Sequence, residues 1–157
     1  MNDTNATLRD KHLMIAIDRT EDSKRAVLYV ADFLGGFNGF RVTLLSVIQE
    51  PEADFFESEQ QKNEWIKSRE KEMNQMLENY RHVLIQSGFS EDKVDIKLRT
   101  GDAKTLSDMI LSMQCHLSCC TVVVGRHHKS KTEEFLLGSV SSQIVHEAKN
   151  CAVWVVE

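Results

Sequence analysis

The chain has 157 residues, a formal net charge of -5, 41% hydrophobic and 27% charged residues, one proline and seven glycines. That length fits one domain, and the composition excludes a Pro/Gly-rich disordered or fibrous chain. The acidic balance argues against broad binding to nucleic acid or anionic membranes. The longest apolar stretches, such as residues 152–156, fall far short of the roughly 20 residues a spanning helix needs. The first eleven residues are polar and lack the apolar segment of a secretory signal. Cys115, Cys119, Cys120 and Cys151 show neither a disulfide framework nor a CxxC pair, which points to the reducing cytoplasm.

Strand-like and helix-like segments alternate along the chain. Residues 12–17 form a continuous apolar run ending at Asp18, as expected of a strand covered on both faces. Residues 20–37 place Val27, Val30, Ala31 and Leu34 at helical spacing before Gly35 and Gly36. Residues 41–48 are β-branched and apolar, a second strand. Residues 49–60, with Pro51 and the pair Phe55 and Phe56, predict a long connection entering a helix near Gln61. The aromatic pair is expected to pack this connection onto the sheet. Ile66, Met73, Leu77, Tyr80 and Leu84 stripe that second helix, and Gly88 ends it.

Val94, Ile96 and Leu98 alternate with charged residues, the period of a strand. Asp102 offers a cap for a third helix marked by Leu106, Met109, Ile110, Met113 and Leu117. Residues 121–124 predict the most buried strand. A basic loop follows, then a helix opening at Gly138 and Ser139 and carried by Val140, Ile144, Val145 and Ala148. Residues 151–156 predict a fifth strand. Strands alternating with helices imply parallel pairing with right-handed crossovers, hence an open α/β sheet with helices on both faces. Ligands of such sheets sit outside the carboxyl ends of the strands, where Asp18 and Gly125 fall. The expected organisation is a polar tail over residues 1–10 and one domain over 11–157.

The informative segment runs from Gly125 through Arg126, His127, His128, Lys129 and Lys131 to Gly138, Ser139, Val140 and Ser141. A loop leaving a buried strand at a glycine and returning at a Gly-Ser helix start offers free backbone N–H groups to an anion. Ser139 adds a hydroxyl. From about Lys11 to Val156 the chain resembles a universal stress protein domain. The resemblance rests on Gly125-x2-His128-x9-Gly138-Ser139, set against Gly-x2-Gly-x9-Gly-Ser/Thr in ATP-binding members. It rests also on the run from Leu136 to Ser142 and on the terminal apolar strand after Asn150 and Cys151.

The resemblance implies a five-stranded parallel sheet of order 3-2-1-4-5. It implies an ATP site with adenine near Ala16, Asp18 and Val47 and phosphates on Gly125, Arg126, Gly138, Ser139, Val140 and Ser141, with Mg²⁺ held through the phosphates. It also implies a regulatory stress-response role and a homodimer joined through the last strand at Val153, Trp154 and Val155. His128 stands where ATP-binding members have their second glycine. A histidine there either blocks the nucleotide, leaving an ATP-independent interaction module, or gives phosphate a donor.

The sequence has no GxxxxGK[ST], SGGxDS or GxGxxG motif and no paired nucleophile and base, so turnover is expected to be slow or absent. Asp18 has a structural role open to it beside the binding one: ending the strand and capping the first helix with Thr20. Cys115, His116, Cys119 and Cys120 suggest zinc, but no second ligand cluster accompanies them. Buried packing is the expected role of these cysteines and of Cys151.

Overall fold

The computed structural model describes residues 10–101, 106–126 and 139–157. Five strands, β1 (Lys11–Ala16), β2 (Phe40–Gln49), β3 (Val94–Gly101), β4 (Thr121–Gly125) and β5 (Ala152–Val156), pair in the order β3-β2-β1-β4-β5. Every pairing is parallel. Helices α1 (Glu21–Leu34), α2 (Glu59–Gln86), α3 (Leu106–Leu117) and α4 (Ser139–Glu147) lie between successive strands. The sheet order expected from the resemblance is therefore observed.

The apolar run of β1 explains the layering. Leu13 and Ile15 point to one face, with Val27 and Val30 of α1 and Leu77 and Leu84 of α2. Met14 points to the other, with Ile110 of α3 and Ile144 of α4. Successive side chains of a strand alternate in direction, so a strand apolar at every position requires cover on both sides. The first four residues of β4, Thr121–Val124, are all buried, as its sequence predicted.

Local chemistry sets the helix ends. The Thr20 hydroxyl accepts from the Ser23 N–H at the start of α1, where Glu21 and Asp22 also suit the helix dipole. Ser58 caps α2 in the same way through the Gln61 N–H. Gly88, at φ +121°, follows α2, and a Cβ there would lie 2.5 Å from the Gly36 backbone nitrogen. The turns after α1 and α2 thus meet backbone to backbone, which only glycine permits.

Several local expectations are corrected. Helix α2 begins at Glu59 rather than near Gln61 because Ser58 supplies the cap. Phe55 is 66% exposed, and Phe56 packs on Trp65 of α2 with ring centres 5.8 Å apart, so the pair does not line the sheet. Val145 of α4 faces outward, and Ser141 takes the buried place beside Ile144. Cys119 is buried and Cys151 partly so, but Cys115 and Cys120 are exposed. Asp102 lies outside the described residues. Among the described residues no helix is long and apolar enough to cross a membrane.

At the opposite end of β1 from Asp18, His12 Nε2 lies 2.7 Å from the hydroxyl of buried Thr43 on β2. Burial lowers the pKa of His12 from 6.5, assisted by the charge of Arg41 and opposed by the Leu117 backbone and Asp95. The folded chain then binds a proton less readily than the unfolded one. The contribution of His12 is complete above pH 6.5 and is lost as the pH falls from there toward the lowered value. Denaturant unfolding between about pH 7.5 and 5.5 should show a smaller acid-induced loss of stability in His12→Asn than in the native chain.

Candidate functional site

Strand β1 lies between β2 and β4, and the connections leaving β1 and β4 run to α1 and α4 on opposite faces of the sheet. That divergence opens a crevice at the carboxyl ends of the strands. A cavity of about 340 Å³ occupies it, within the size range of small-ligand sites. Its apolar lining includes Ala16, Val47, Val124, Leu106 and Ile110, and its rim includes Asp18 and Ser139.

Asp18 is exposed but structurally engaged. Its Oδ1 accepts from the Thr20 backbone N–H at 2.9 Å, the Thr20 hydroxyl and the Ser23 hydroxyl at 2.8 Å. The Asp18 N–H donates to Ser23 Oγ at 2.9 Å. These bonds fold the chain after β1 into the first turn of α1, so the capping role is realised and the carboxylate remains at the cavity rim. Ile17 is held beneath: its N–H donates to the Leu45 carbonyl, and its carbonyl accepts from the buried Ser46 hydroxyl, both at 2.8 Å.

The end of β4 forms the facing wall. A Cβ on Gly125 would lie 2.5 Å from the backbone carbon and oxygen of Asp22, so this glycine is required by the close passage of α1's first turn. The Gly125 carbonyl accepts from the Ser141 hydroxyl at 3.0 Å, drawing α4 onto the strand end. Ser139, Val140 and Ser141 line the cavity, placing the first turn of α4 at its mouth. Unpaired N–H groups of a helix's first turn favour an anion there.

Of the residues singled out in the sequence, Ala16, Asp18, Val47, Gly125, Ser139, Val140 and Ser141 all line this one cavity. Arg126 does not. Its N–H donates to the Val156 carbonyl at 2.8 Å, and its guanidinium lies 3.1 Å from the Glu157 carboxylate. His128 and Gly138, with His127, Lys129 and Lys131, lie outside the described residues. The described lining carries the carboxylates of Asp18 and Asp22 and no cationic side chain.

Sequence reading missed Gln49, Ser23, Leu106 and Ile110 as lining residues. Gln49 was accessible through the strand period, two positions beyond Val47. Leu106 and Ile110 stand four apart on one helical face, but the sequence does not tell whether such a face meets a cavity or the core. Among the described residues no group of His, Cys, Asp and Glu is suited to hold a metal. Burial, with Cys120 and Cys151 nearby, pushes the Cys119 thiol up to about 12, a packing thiol rather than a reactive one.

The geometry defines an open α/β domain with a cavity at the switch point of its sheet. The profile of the universal stress protein family matches residues 10–157, and the chain belongs to that family. Hypothetical protein MJ0577, solved as a test case of structure-based assignment of biochemical function, is similar at 27% identity and TM-score 0.76, over 93% of this chain and 94% of that one. A universal stress protein in complex with cAMP is similar in fold at 16% identity and TM-score 0.65, over 94% and 96% of the two chains. One from Archaeoglobus fulgidus in complex with dAMP is similar in fold at 14% identity and TM-score 0.60, over 92% and 96%. No curated protein sequence matches the chain at significance.

Gly125→Ala should strain the contact between β4 and α1, because the atoms a Cβ would meet are backbone. Overpacking of this kind costs about 1–3 kcal/mol, to be read as a lower denaturant midpoint at unchanged slope.

Proposed function

We propose that this universal stress protein is a regulatory protein that binds an adenine nucleotide, ATP first among them. The observation that carries the reading is the cavity itself: an apolar floor from Ala16, Val47 and Val124 beside the first turn of α4. Adenine would lie on the floor with Asp18 at its edge. The phosphates would point to Gly125 and to Ser139, Val140 and Ser141, where free N–H groups favour anions. The family membership supports this reading, as do the complexes of two relatives with cAMP and dAMP. The two described carboxylates of the lining repel phosphate, so the charge balance favours a nucleotide carrying Mg²⁺ bound mainly through its phosphates. The described residues of the site offer no paired nucleophile and base, and the proposed role is binding with slow turnover or none.

A second reading, an ATP-independent interaction module, rests on His128 in the place of a motif glycine. Titration calorimetry of nucleotide-free protein with ATP·Mg²⁺ separates the two. Saturable micromolar binding is expected, weakened about tenfold or more in Val47→Phe, which fills the floor, and in Gly138→Asp, which sets a charge against the phosphates. Absence of binding in the native chain, with binding gained in His128→Gly, would establish the second reading instead.

The protein is further proposed to act as a homodimer through β5. That strand is the outer edge of the sheet, and an outer strand leaves one row of backbone groups unpaired. Val153, Trp154 and Val155 are only partly buried. Trp154 turns onto α1, with ring centres 6.3 Å from Tyr29 and 6.0 Å from Phe33, both exposed. An aromatic surface therefore adjoins the open edge. Small-angle scattering should return the mass of two chains at micromolar concentration, and the mass of one chain across that range would remove the dimer.

A further inference from the structure

At the end of the sheet opposite the cavity, three thiols gather where β4 and β5 begin. Cys119 and Cys120 directly precede β4, and Cys151 directly precedes β5. The strands pair in register from Thr121 opposite Ala152, and the Ala152 N–H donates to the Cys120 carbonyl at 2.9 Å. One residue back, the same register sets Cys120 beside Cys151. Neighbouring strands run about 4.8 Å apart, and a disulfide joins Cα atoms separated by roughly 4.4–6.8 Å. Both residues stand in bends directly before their strands, and the Cys120 N–H donates to the His12 carbonyl at 2.9 Å, so the strand alignment carries through Cys120. All four cysteines are free thiols.

We propose that Cys120 and Cys151 form a redox-sensitive dithiol that hydrogen peroxide converts reversibly to a disulfide. Cys120 is the exposed member and meets the oxidant first. Its thiolate attacks one peroxide oxygen and the O–O bond breaks, leaving a sulfenic acid on Cys120 and a hydroxide that takes up the thiol proton as water. The Cys151 sulfur then attacks Cys120 Sγ. The S–O bond breaks, and the departing hydroxide leaves as water with the Cys151 proton. Two thiols and one peroxide become one disulfide and two waters, and a low-molecular-weight thiol reverses the change by exchange.

The other two cysteines are poor competitors. Cys119 is 2% exposed and its thiol resists ionisation. The backbone about Cys119 is also pinned: its N–H donates to the Gln114 carbonyl at 3.0 Å, and its carbonyl accepts from the Gln114 side-chain amide at 2.8 Å. A bond between the adjacent Cys119 and Cys120 would have to distort that clasp. Cys115 lies on α3 and is exposed, so it remains a separate thiol. The disulfide from Cys120 to Cys151 closes a loop containing β4 and α4, including the cavity-lining residues Val124, Gly125, Ser139, Val140 and Ser141.

The test is to treat the full chain with hydrogen peroxide, alkylate the remaining thiols and map the peptides by mass. The expected product is a single chain lighter by two hydrogens, with one peptide pair joined at Cys120 and Cys151, restored by dithiothreitol. Cys115→Ser should leave that product unchanged. Cys151→Ser should stop the reaction at a dimedone-reactive sulfenic acid on Cys120. Bonds between chains, a bond joining Cys119 to Cys120, or four thiols still open to alkylation would each overturn the proposal.

Discussion

The structure depends on the pairing of β1 on both of its edges. Lys11–Ala16 is hydrogen-bonded to β2 on one side and β4 on the other, and Leu13, Met14 and Ile15 are essentially inaccessible to water. A strand buried on two faces and two edges has no surface left for polar groups, so its only polar outlet is its end. That is where Asp18 falls. The two covering layers follow from the same burial: α1 and α2 on the Leu13 side, α3 and α4 on the Met14 side. The crevice follows as well, because the connections leaving the carboxyl ends of β1 and β4 must part to reach opposite layers.

The site is assembled largely from residues that also hold the fold together. Asp18, Thr20 and Ser23 form the turn that starts α1, and all three line the cavity. Gly125 is small because α1 passes it closely, and its carbonyl anchors Ser141 of α4. Such double use keeps the cavity wall rigid, since a side chain already satisfied by its own backbone has little freedom to lose when a ligand arrives. It also means that substitutions at these positions report on folding and binding together. Val47, which lines the cavity without entering these bonds, separates the two effects better.

The order of elements was legible because its signals are local. Continuous apolar strands, helical stripes and a glycine or cap at most boundaries need no tertiary knowledge. The residues at the cavity mouth were legible because the spacing from Gly125 to Ser139 belongs to a recurrent pattern. What could not be read was direction about a helix or connection. Val145 and Ser141 sit on one short helix, and only the proximity of the Gly125 carbonyl decides that the serine is buried. Phe55 and Phe56 look like a plug for the sheet, but Trp65 offers Phe56 a nearer partner. Arg126 lies beside the Glu157 carboxylate, a pairing between distant positions that no local pattern announces.

Helix α2 carries a consequence of its own. It is 28 residues long, yet its buried residues are Met73, Leu77 and Leu84, all in the second half. The first half is tied down by surface contacts such as Lys62 with Glu50, Arg19 with Glu72 and the ring of Trp65 under Arg69. Exposed ion pairs such as Arg19 with Glu72 contribute little each. One continuous helix therefore contains two regimes of amide protection. Burial of this kind ties opening of the turns after Met73 to the core, whereas the turns before it should exchange by local fraying that leaves the rest of the domain intact.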